Sequence, residues 1–227
     1  MKRVLIISAH PDDEILGCGG LISKYQPKGV QFKVVFIGEG STCRYADPFS
    51  DESLVAIKER ALSAKEALLT LNIQDFEMHN LPCGRFDQVP IIDINKIIEN
   101  AIQDFNPDTL LTHSPYDVNN DHKIVFNSTM MATRPSSPHV IEKLMSYEVL
   151  SSSEWSFINT FSPNYFEEIT EDDVVMKWEA VSKYKSEIKP YPHPRSLEGI
   201  RSLAIMRGTQ AGFKYAEAFH LIREFKR

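Results

Sequence analysis

The sequence has few of the features that mark secreted, membrane-spanning or nucleic-acid-binding proteins. Its 227 residues include only three cysteines, Cys18, Cys43 and Cys83, which are far apart and form no C-x-x-C pair. This usage argues against a disulfide framework and a cysteine-rich zinc site, and it fits a reducing compartment. No apolar run approaches the roughly 18 residues of a membrane helix. We therefore predict a cytoplasmic location and no integral membrane segment.

An excess of positive charge is also lacking. The 25 lysines and arginines are outnumbered by 31 acidic residues, which gives a formal net charge of −6. Nucleic acid is excluded as a partner, because a broad phosphate-binding surface needs clustered lysine and arginine. The chain has no phosphate-binding G-x-x-x-x-G-K-[ST] loop, and "GCGG" at 17–20 is not the G-x-G-x-x-G pattern of dinucleotide-binding proteins.

The chain does contain alternating strand and helix patterns in its first 150 residues. Amphipathic helical spacing is clearest at 52–72 and 91–105. In the first of these helices the predicted buried face consists of Leu54, Ile57, Ala61, Ala64, Leu68 and Leu71. Short apolar runs predict strands at 3–9, 31–38, 75–81, 108–114 and 143–150.

This alternation predicts an α/β fold with a doubly wound, mostly parallel sheet and helices on both faces. We predict a single domain over 1–227, in which 1–150 forms the sheet. After residue 150 the alternation weakens, and helical patterns at 172–188 and 197–210 predict a dependent C-terminal cap of helices and loops. Sheets of this type bind ligands at the carboxyl ends of their strands, so the residues that follow each strand are the first candidates for a site.

The stretch "LIISAHPDDEILGCGG" (5–20) puts a histidine and three consecutive acids directly after the first strand. Like charges this close repel one another, and burying them is costly unless a cation lies among them. His10 and Asp13 straddle the predicted strand-to-helix turn, and His122 opens a helix after the polar loop at another strand end. Two histidines and one carboxylate are ligands of a catalytic zinc with an open position for water. Iron or cobalt would suit the same ligands.

Asp12, beside the predicted ligand Asp13, is placed to act as the base that takes a proton from a water at the metal. Asp117 or Asp121 is expected to accept the second ring N–H of a ligand histidine and so fix its orientation. The competing interpretation is structural, because acids at a helix start are commonly N-caps. The metal site is favoured because several polar clusters fall on the same predicted sheet edge.

These residues carry a family resemblance. "AHPDDE" after an N-terminal strand, with a later "DH" at a helix start, resembles the LmbE-like (PIG-L) family of zinc-dependent N-deacetylases. The motif order is kept over residues 3–135, with a weaker echo in "YAEAF" at 215–219. The resemblance implies a hydrolase that removes the N-acetyl group of an amino sugar, such as N-acetylglucosamine, or of a related small-molecule glycoconjugate. It implies His10, Asp13 and His122 as the zinc ligands and Asp12 as the base.

The resemblance also implies a role in substrate binding for Arg60, on the helix predicted at 52–72. Many family members carry a histidine that assists as an acid three residues before the ligand histidine, where this chain has Asn119. An amide cannot donate and recover a proton at neutral pH. We therefore predict that Asp12 serves as both base and acid. The alternatives are that His113 takes the acid role or that activity is weak.

Further candidates for substrate contact lie in loops. Arg44 in "GEGSTCRY" and Arg195 in "PHPRS" could bind a phosphate or sugar hydroxyls. Trp155 and Tyr191 could stack on a sugar. The plainer interpretations are surface arginines and core aromatics. The predicted substrate-binding residues are Arg60, Arg44, Asn119, Asp117 and Arg195.

Two other functions are alternatives at this point. The same carboxylates would suit a metal-dependent phosphoester or nucleotide hydrolase, although two-metal sites usually need more converging acids. A metal-containing carbohydrate-binding protein without turnover is the second alternative, which Asn119 favours and Asp12 opposes. The sequence is compatible with a monomer or a homo-oligomer.

Overall fold

The computed structural model describes residues 1–136 and 138–226, in which seven strands and six α-helices are found. The strands are β1 (Arg3–Ser8), β2 (Gln31–Gly38), β3 (Asp75–Leu81), β4 (Thr109–His113), β5 (Lys143–Tyr147), β6 (Tyr165–Ile169) and β7 (Tyr215–Glu224). The helices are α1 (Asp13–Tyr25), α2 (Asp51–Thr70), α3 (Ile91–Phe105), α4 (Asn120–Ala132), α5 (Glu171–Val181) and α6 (Leu197–Ala211). Within these described ranges, none of the helices has the length and apolar character needed to cross a membrane.

The strands form one sheet in the order β3-β2-β1-β4-β5-β7-β6. The first five strands of this order are parallel, whereas β7 is antiparallel to both of its neighbours. The predicted α/β fold with a mostly parallel sheet is confirmed. The chain passes from β1 to β2 on one side and later returns to β4 on the other side, so the end of β1 is the switch point where such sheets bind ligands.

Strand β1 is buried on both faces, which explains its unbroken apolar run. Val4 and Ile6 belong to the core shared with α1, α2 and α5, whereas Leu5 and Ile7 pack in the core of α3 and α4. Helices therefore cover both faces of the sheet, as the sequence predicts. Each fully buried side chain of this type stabilises the fold by about 1.5–3 kcal/mol, and together they fix the position of the strand ends.

The C-terminal segment, which the sequence predicts to be a cap of helices and loops, also contains two strands. Both β6 and β7 extend the sheet past the predicted limit at residue 150. The strand β7 is hidden in the sequence because "YAEAFHLIRE" contains charged residues, of which Glu217 is buried. Its carboxylate accepts hydrogen bonds from the backbone N–H groups of Gly20 and Leu21 and from Lys177 Nζ, at 2.6–2.8 Å. Because these donors offset the cost of burying its charge, Glu217 can lie inside the protein. The apolar pattern of the sequence therefore does not reveal this strand.

Only the second half of α2 buries the predicted apolar face. Ala64 and Leu68 are buried, but Leu54 has 44% of its surface exposed. The first half of the helix instead buries Ser53 and Arg60. A buried arginine needs ionic partners, because an unpaired buried charge is strongly destabilising. Those partners are Asp12, which follows β1, and Glu187, in the segment after α5.

Candidate active site

The residues between β1 and α1 make a strained turn. Asp12 has φ 117° and ψ −26°, a region that residues with a side chain rarely occupy. Its backbone N–H donates a hydrogen bond to Glu14 Oε2 at 2.9 Å. The backbone N–H of His10 donates to Asp13 Oδ2 at 2.8 Å. Strain of this kind costs about 1–3 kcal/mol and is concentrated at functional sites, where surrounding contacts hold it.

The fold brings together His10, Asp13 and His122, as the sequence predicts. Oδ2 of Asp13 lies 3.7 Å from His10 Nδ1 and 3.4 Å from His122 Nε2, and all three residues are buried. One ligand atom from each residue lies within 4.8 Å of the others. Zinc bonds of about 2.0–2.2 Å place the ligand atoms of a tetrahedron about 3.3–3.6 Å apart, so the donor set and its spacing fit such an ion.

Both carboxylates that the sequence suggests as partners of the ligand histidines lie beside them. Asp121 Oδ2 is 2.9 Å from His10 Nε2, and Asp117 Oδ2 is 3.2 Å from His122 Nδ1. These contacts leave the other nitrogen of each ring for a metal. The hydrogen bond to Asp121 orients the His10 ring, and the carboxylate of Asp117 faces His122 Nδ1. Asp121 also accepts the backbone N–H of Gly84 at 2.6 Å, so the loop after β3 supports the site.

The charges of this cluster call for a cation. Burial alone would raise the pKa of Asp13, but the nearby histidines, His122 first among them, hold it well below its ordinary value. Burial alone would lower the pKa of His122, but Asp13 and Asp117 raise it to about 10. A proton or a divalent ion among these groups offsets the repulsion between the acids of "HPDDE", and metal binding would displace the proton.

Asp12 lies beside the cluster with one carboxylate oxygen held by arginines. Oδ2 accepts a hydrogen bond from Arg195 Nη1 at 2.6 Å and pairs with Arg60 Nη2 at 3.0 Å. The other oxygen, Oδ1, is used by neither arginine. Burial raises the pKa of Asp12, and the two arginines oppose this rise. A carboxylate with a raised pKa suits a base that must take a proton near neutral pH.

The sequence does not predict a role for Glu187, which pairs with all three arginines of the site. It is 5% exposed, and its carboxylate pairs with Arg60 and also with Arg44 Nη2 and Arg195 Nη1, the last two at 2.8 Å. Burial would raise the pKa of Glu187, but the arginines lower it to about 2. Its surroundings in the sequence, "YKSEIKP", are an ordinary polar stretch without a motif. Only the folded chain reveals its partners.

The three predicted arginines lie together but in different settings. Arg60 is buried, and its Nε donates a hydrogen bond to the carbonyl of Pro11 at 2.7 Å. Arg195 has 15% of its side chain exposed, whereas Arg44 has 48% exposed. Arg60 and Arg195 therefore contact the predicted base, and Arg44 has the most surface left for a substrate.

The structure places His113 inside the protein, and its alternative role as the acid stays a prediction. It is fully buried, its Nε2 accepts the backbone N–H of Ala9 at 2.8 Å, and its ring stacks on that of His122 with centroids 4.0 Å apart. Burial and the neighbouring His122 hold the pKa of His113 well below its ordinary value. His113 packs against the predicted ligand His122 and has no exposed surface.

Two of the predicted substrate contacts are engaged within the protein. The side-chain oxygen of Asn119 accepts the backbone N–H of Asp121 at 2.9 Å and so caps α4. Asp117 is 1% exposed and accepts hydrogen bonds from Ser153 Oγ at 2.7 Å and from the backbone N–H of Asn119 at 2.9 Å. Its carboxylate is therefore engaged by these donors and by its contact with His122 Nδ1, and its role in substrate binding stays a prediction.

Solved structures with the same fold include enzymes of two kinds. The N,N'-diacetylchitobiose deacetylase of Pyrococcus horikoshii superposes with a TM-score of 0.77 at 22% identity, over 97% of this chain and 84% of that one. The 4-carboxy-2-hydroxymuconate hydratase GalB of Pseudomonas putida superposes with a TM-score of 0.78 at 20% identity, over 100% of this chain and 98% of that one. The fold alone therefore does not identify the chemistry.

Sequence comparison is more specific. The chain is 27% identical over 191 residues to the "Uncharacterized deacetylase YaiS" of Escherichia coli, which covers 82% of this chain and 91% of that protein. Residues 5–133, more than half of the chain, match the PIG-L family, described as GlcNAc-PI de-N-acetylase. The match confirms the predicted enzyme class, a hydrolytic N-deacetylase. This chain belongs to the PIG-L family.

Proposed function

We propose that the protein is a metal-dependent N-deacetylase that hydrolyses the N-acetyl group of an amino sugar or a related small glycoconjugate to a free amine and acetate. The observation that carries this proposal is the buried set of His10, Asp13 and His122 beside Asp12, whose Oδ1 is left free by the arginines. The first three supply the ligands of a divalent ion, and the fourth can exchange a proton.

The residues that would hold the ion are His10, Asp13 and His122, through Nδ1, Oδ2 and Nε2. Zinc is the proposed ion, with iron or cobalt as alternatives that accept the same ligands. Such an ion supplies polarisation of the amide carbonyl and a lowered pKa for an attacking water. The carboxylate of Asp121 holds the His10 ring by a hydrogen bond, and that of Asp117 lies 3.2 Å from His122 Nδ1, so the ligand atoms need little rearrangement.

In the proposed reaction Asp12 Oδ1 takes a proton from the water as the water oxygen bonds to the carbonyl carbon of the acetamide. The same carboxyl then gives this proton to the amide nitrogen as the C–N bond breaks. Arg60 and Arg195 hold Oδ2, so the carboxyl keeps one orientation through both transfers. Asp12 serves as base and acid in this scheme, because Asn119 cannot transfer a proton.

An N-acetylated sugar is supported as the substrate class by two names. The family description contains a GlcNAc derivative, and a protein of the same fold is named for diacetylchitobiose. In the loops at this edge of the sheet, Trp155 and Tyr191 are 45% and 68% exposed, which suits stacking on a sugar face. The exposed part of Arg44 suits hydroxyl or phosphate groups. The cytoplasmic location stays a prediction from cysteine usage.

Metal content and acetate release test this proposal together. Wild-type protein, Asp12→Asn and His122→Ala are purified without added metal, then assayed by elemental analysis and with N-acetylglucosamine and N,N'-diacetylchitobiose. We expect about one ion per chain in wild type and Asp12→Asn and little in His122→Ala. Acetate should be released by wild type, with kcat lowered at least about 100-fold in Asp12→Asn.

Other outcomes would favour the other functions. A metal-containing wild type that binds these sugars without releasing acetate would support a carbohydrate-binding protein. Phosphate release from phosphoesters without acetate release would support a phosphoester hydrolase. If neither wild type nor His122→Ala holds metal after zinc is supplied, "HPDDE" is only a helix start and the deacetylase proposal fails.

A further inference from the structure

Two thiols lie against each other beside the active site. Cys43 follows β2, Cys83 follows β3, and their Sγ atoms are 2.9 Å apart. Cys43 is exposed and Cys83 is buried, whereas Cys18 lies in the apolar core. An S–S bond needs about 2.05 Å, so a shift of roughly 1 Å would bring the two sulfurs to bonding distance.

A buried carboxylate holds both loops in this arrangement. Glu39 Oε2 accepts the backbone N–H groups of Ser41 at 2.6 Å and Thr42 at 3.0 Å, and Glu39 Oε1 accepts that of Cys83 at 2.7 Å. Gly84, with φ +74°, allows a close approach, because a Cβ there would lie 3.2 Å from the Cβ of Cys43. The backbone of both loops therefore brings the sulfurs together.

The two thiols differ in reactivity. The hydrogen bond from Cys83, together with the neighbouring Arg44, lowers the pKa of Cys43 to about 6. The same hydrogen bond and burial raise the pKa of Cys83. An accessible thiolate beside a second thiol that can resolve its oxidised form is the arrangement of redox-active cysteines.

We propose that Cys43 and Cys83 are a redox-active pair that a hydroperoxide converts into an intramolecular disulfide at the rim of the active site. The Cys43 thiolate attacks the peroxide, takes one oxygen as a sulfenic acid, and the O–O bond breaks to release hydroxide or alkoxide. The sulfur of Cys83 then attacks the sulfenic sulfur, the S–S bond forms and hydroxide leaves. With hydrogen peroxide, two thiols are oxidised to one disulfide and the peroxide is reduced to two waters.

The disulfide would secure a loop that supports a metal ligand. Further along this loop, Gly84 and Phe86 donate backbone N–H groups to Asp121 at 2.6 and 3.2 Å, and Asp121 contacts His10. Tying the loop to the one after β2 restricts its opening, and cross-linking two residues 40 positions apart stabilises the folded state. The oxidised protein therefore loses metal more slowly and unfolds at a higher temperature than the reduced protein. The metal part rests on the function proposed above, whereas the thiol chemistry does not.

Peptide mapping tests the disulfide. Metal-loaded wild type, Cys43→Ser and Cys83→Ser are treated with hydrogen peroxide, blocked with a thiol reagent and digested without reduction. We expect wild type to lose about 2 Da and to yield a peptide linking Cys43 to Cys83, with Cys18 still reduced as the internal control. Cys83→Ser should stop at a sulfenic acid that a dimedone-type probe traps. Free thiols, a sulfinic acid at Cys43 or a disulfide between two chains in wild type would overturn the proposal.

Two further measurements test the consequence without turnover. At equal zinc load, a chelator should remove metal at least about 3-fold more slowly from oxidised than from reduced wild type, and Tm should rise by about 5 °C. Dithiothreitol should reverse both changes, and Cys43→Ser should show neither. Equal or faster metal loss from the oxidised protein would overturn the link to the metal site. A chain that binds no metal would contradict the proposed deacetylase while the peptide map still decides the thiol pair.

Discussion

The carboxylate of Asp12 is surrounded by a small ionic network. Arg60 and Arg195 share one of its oxygens, and Glu187 pairs with both of these arginines and with Arg44. Three guanidinium groups therefore face two carboxylates. The surplus positive charge offsets part of the cost of burying the predicted base. Glu187 in turn keeps the arginines from being buried with too few partners.

Replacing Glu187 by glutamine should destabilise the protein by about 3 kcal/mol, because the buried Arg60 loses one of its two ionic partners. Urea unfolding measures this change. The matched control is Glu179→Gln, an exposed acid on α5, for which the change should stay within about 0.5 kcal/mol. If both variants behave alike, the arginines do not depend on Glu187.

At the scale of single residues, the sequence predicts the features that depend on neighbouring residues along the chain. His10, Asp13 and His122 follow strand ends and carry ligand chemistry, and the fold brings them together, although their metal-binding roles stay predictions. The burial of Arg60 and the position of Glu187 could not be predicted, since both depend on how α2 meets the C-terminal segment. No local pattern encodes that contact.

Among the elements, α1 lies so close to the sheet that its glycines have little room. A Cβ on Gly17 would lie 2.2 Å from the ring of Tyr147 on β5, and a Cβ on Gly20 would lie 2.8 Å from Ile169 on β6. The "GCGG" stretch thus allows the helix that begins at Asp13 to pack against the strands. These glycines therefore serve to pack the helix against the sheet. This role agrees with the sequence, in which "GCGG" is not the G-x-G-x-x-G pattern of dinucleotide-binding proteins.

Gly17→Ala should destabilise the protein by about 1–3 kcal/mol, because the added methyl group overlaps Tyr147. This loss should exceed the gain of about 1 kcal/mol that alanine brings to a helix interior. Thermal unfolding measures it, with Gly19→Ala as the comparison. There the new Cβ first meets Lys177 Cγ at 2.8 Å, a smaller overlap than the 2.2 Å contact with Tyr147, so the loss should be smaller. Equal effects at both positions would mean that α1 shifts away from the sheet at little cost.

For the whole molecule, the sequence predicts the five parallel strands well, because strands buried on both faces have continuous apolar runs. It fails for β6 and β7, whose antiparallel pairing involves charged residues such as the buried Glu217. The first part of the chain therefore shows its fold in its apolar pattern. The fold of the last part becomes evident only from its tertiary contacts in the structure.

Acid should destabilise the molecule partly through Glu187. Burial would raise the pKa of this residue, but the arginines lower it from 4.5 to about 2. The unfolded chain therefore binds this proton first as the pH falls. The stabilisation is complete above about pH 4.5 and is lost as the pH approaches 2, by about 3 kcal/mol in total. Urea unfolding across this range should show a correspondingly smaller loss for Glu187→Gln, and parallel curves for the two proteins would contradict this origin.

The strand β7 lies between β5 and β6, although it is the last strand along the described chain. During synthesis β6 therefore has no partner in the sheet until the residues of β7 have left the ribosome. Glu187 and Arg195 also belong to this late segment, yet they complete the surroundings of Asp12. A nascent chain that already displays "HPDDE" thus lacks Arg195, one of the two arginines that contact the predicted base Asp12. The proposed hydrolysis therefore depends on a segment translated after α5, more than 160 residues after the predicted ligands of the first turn.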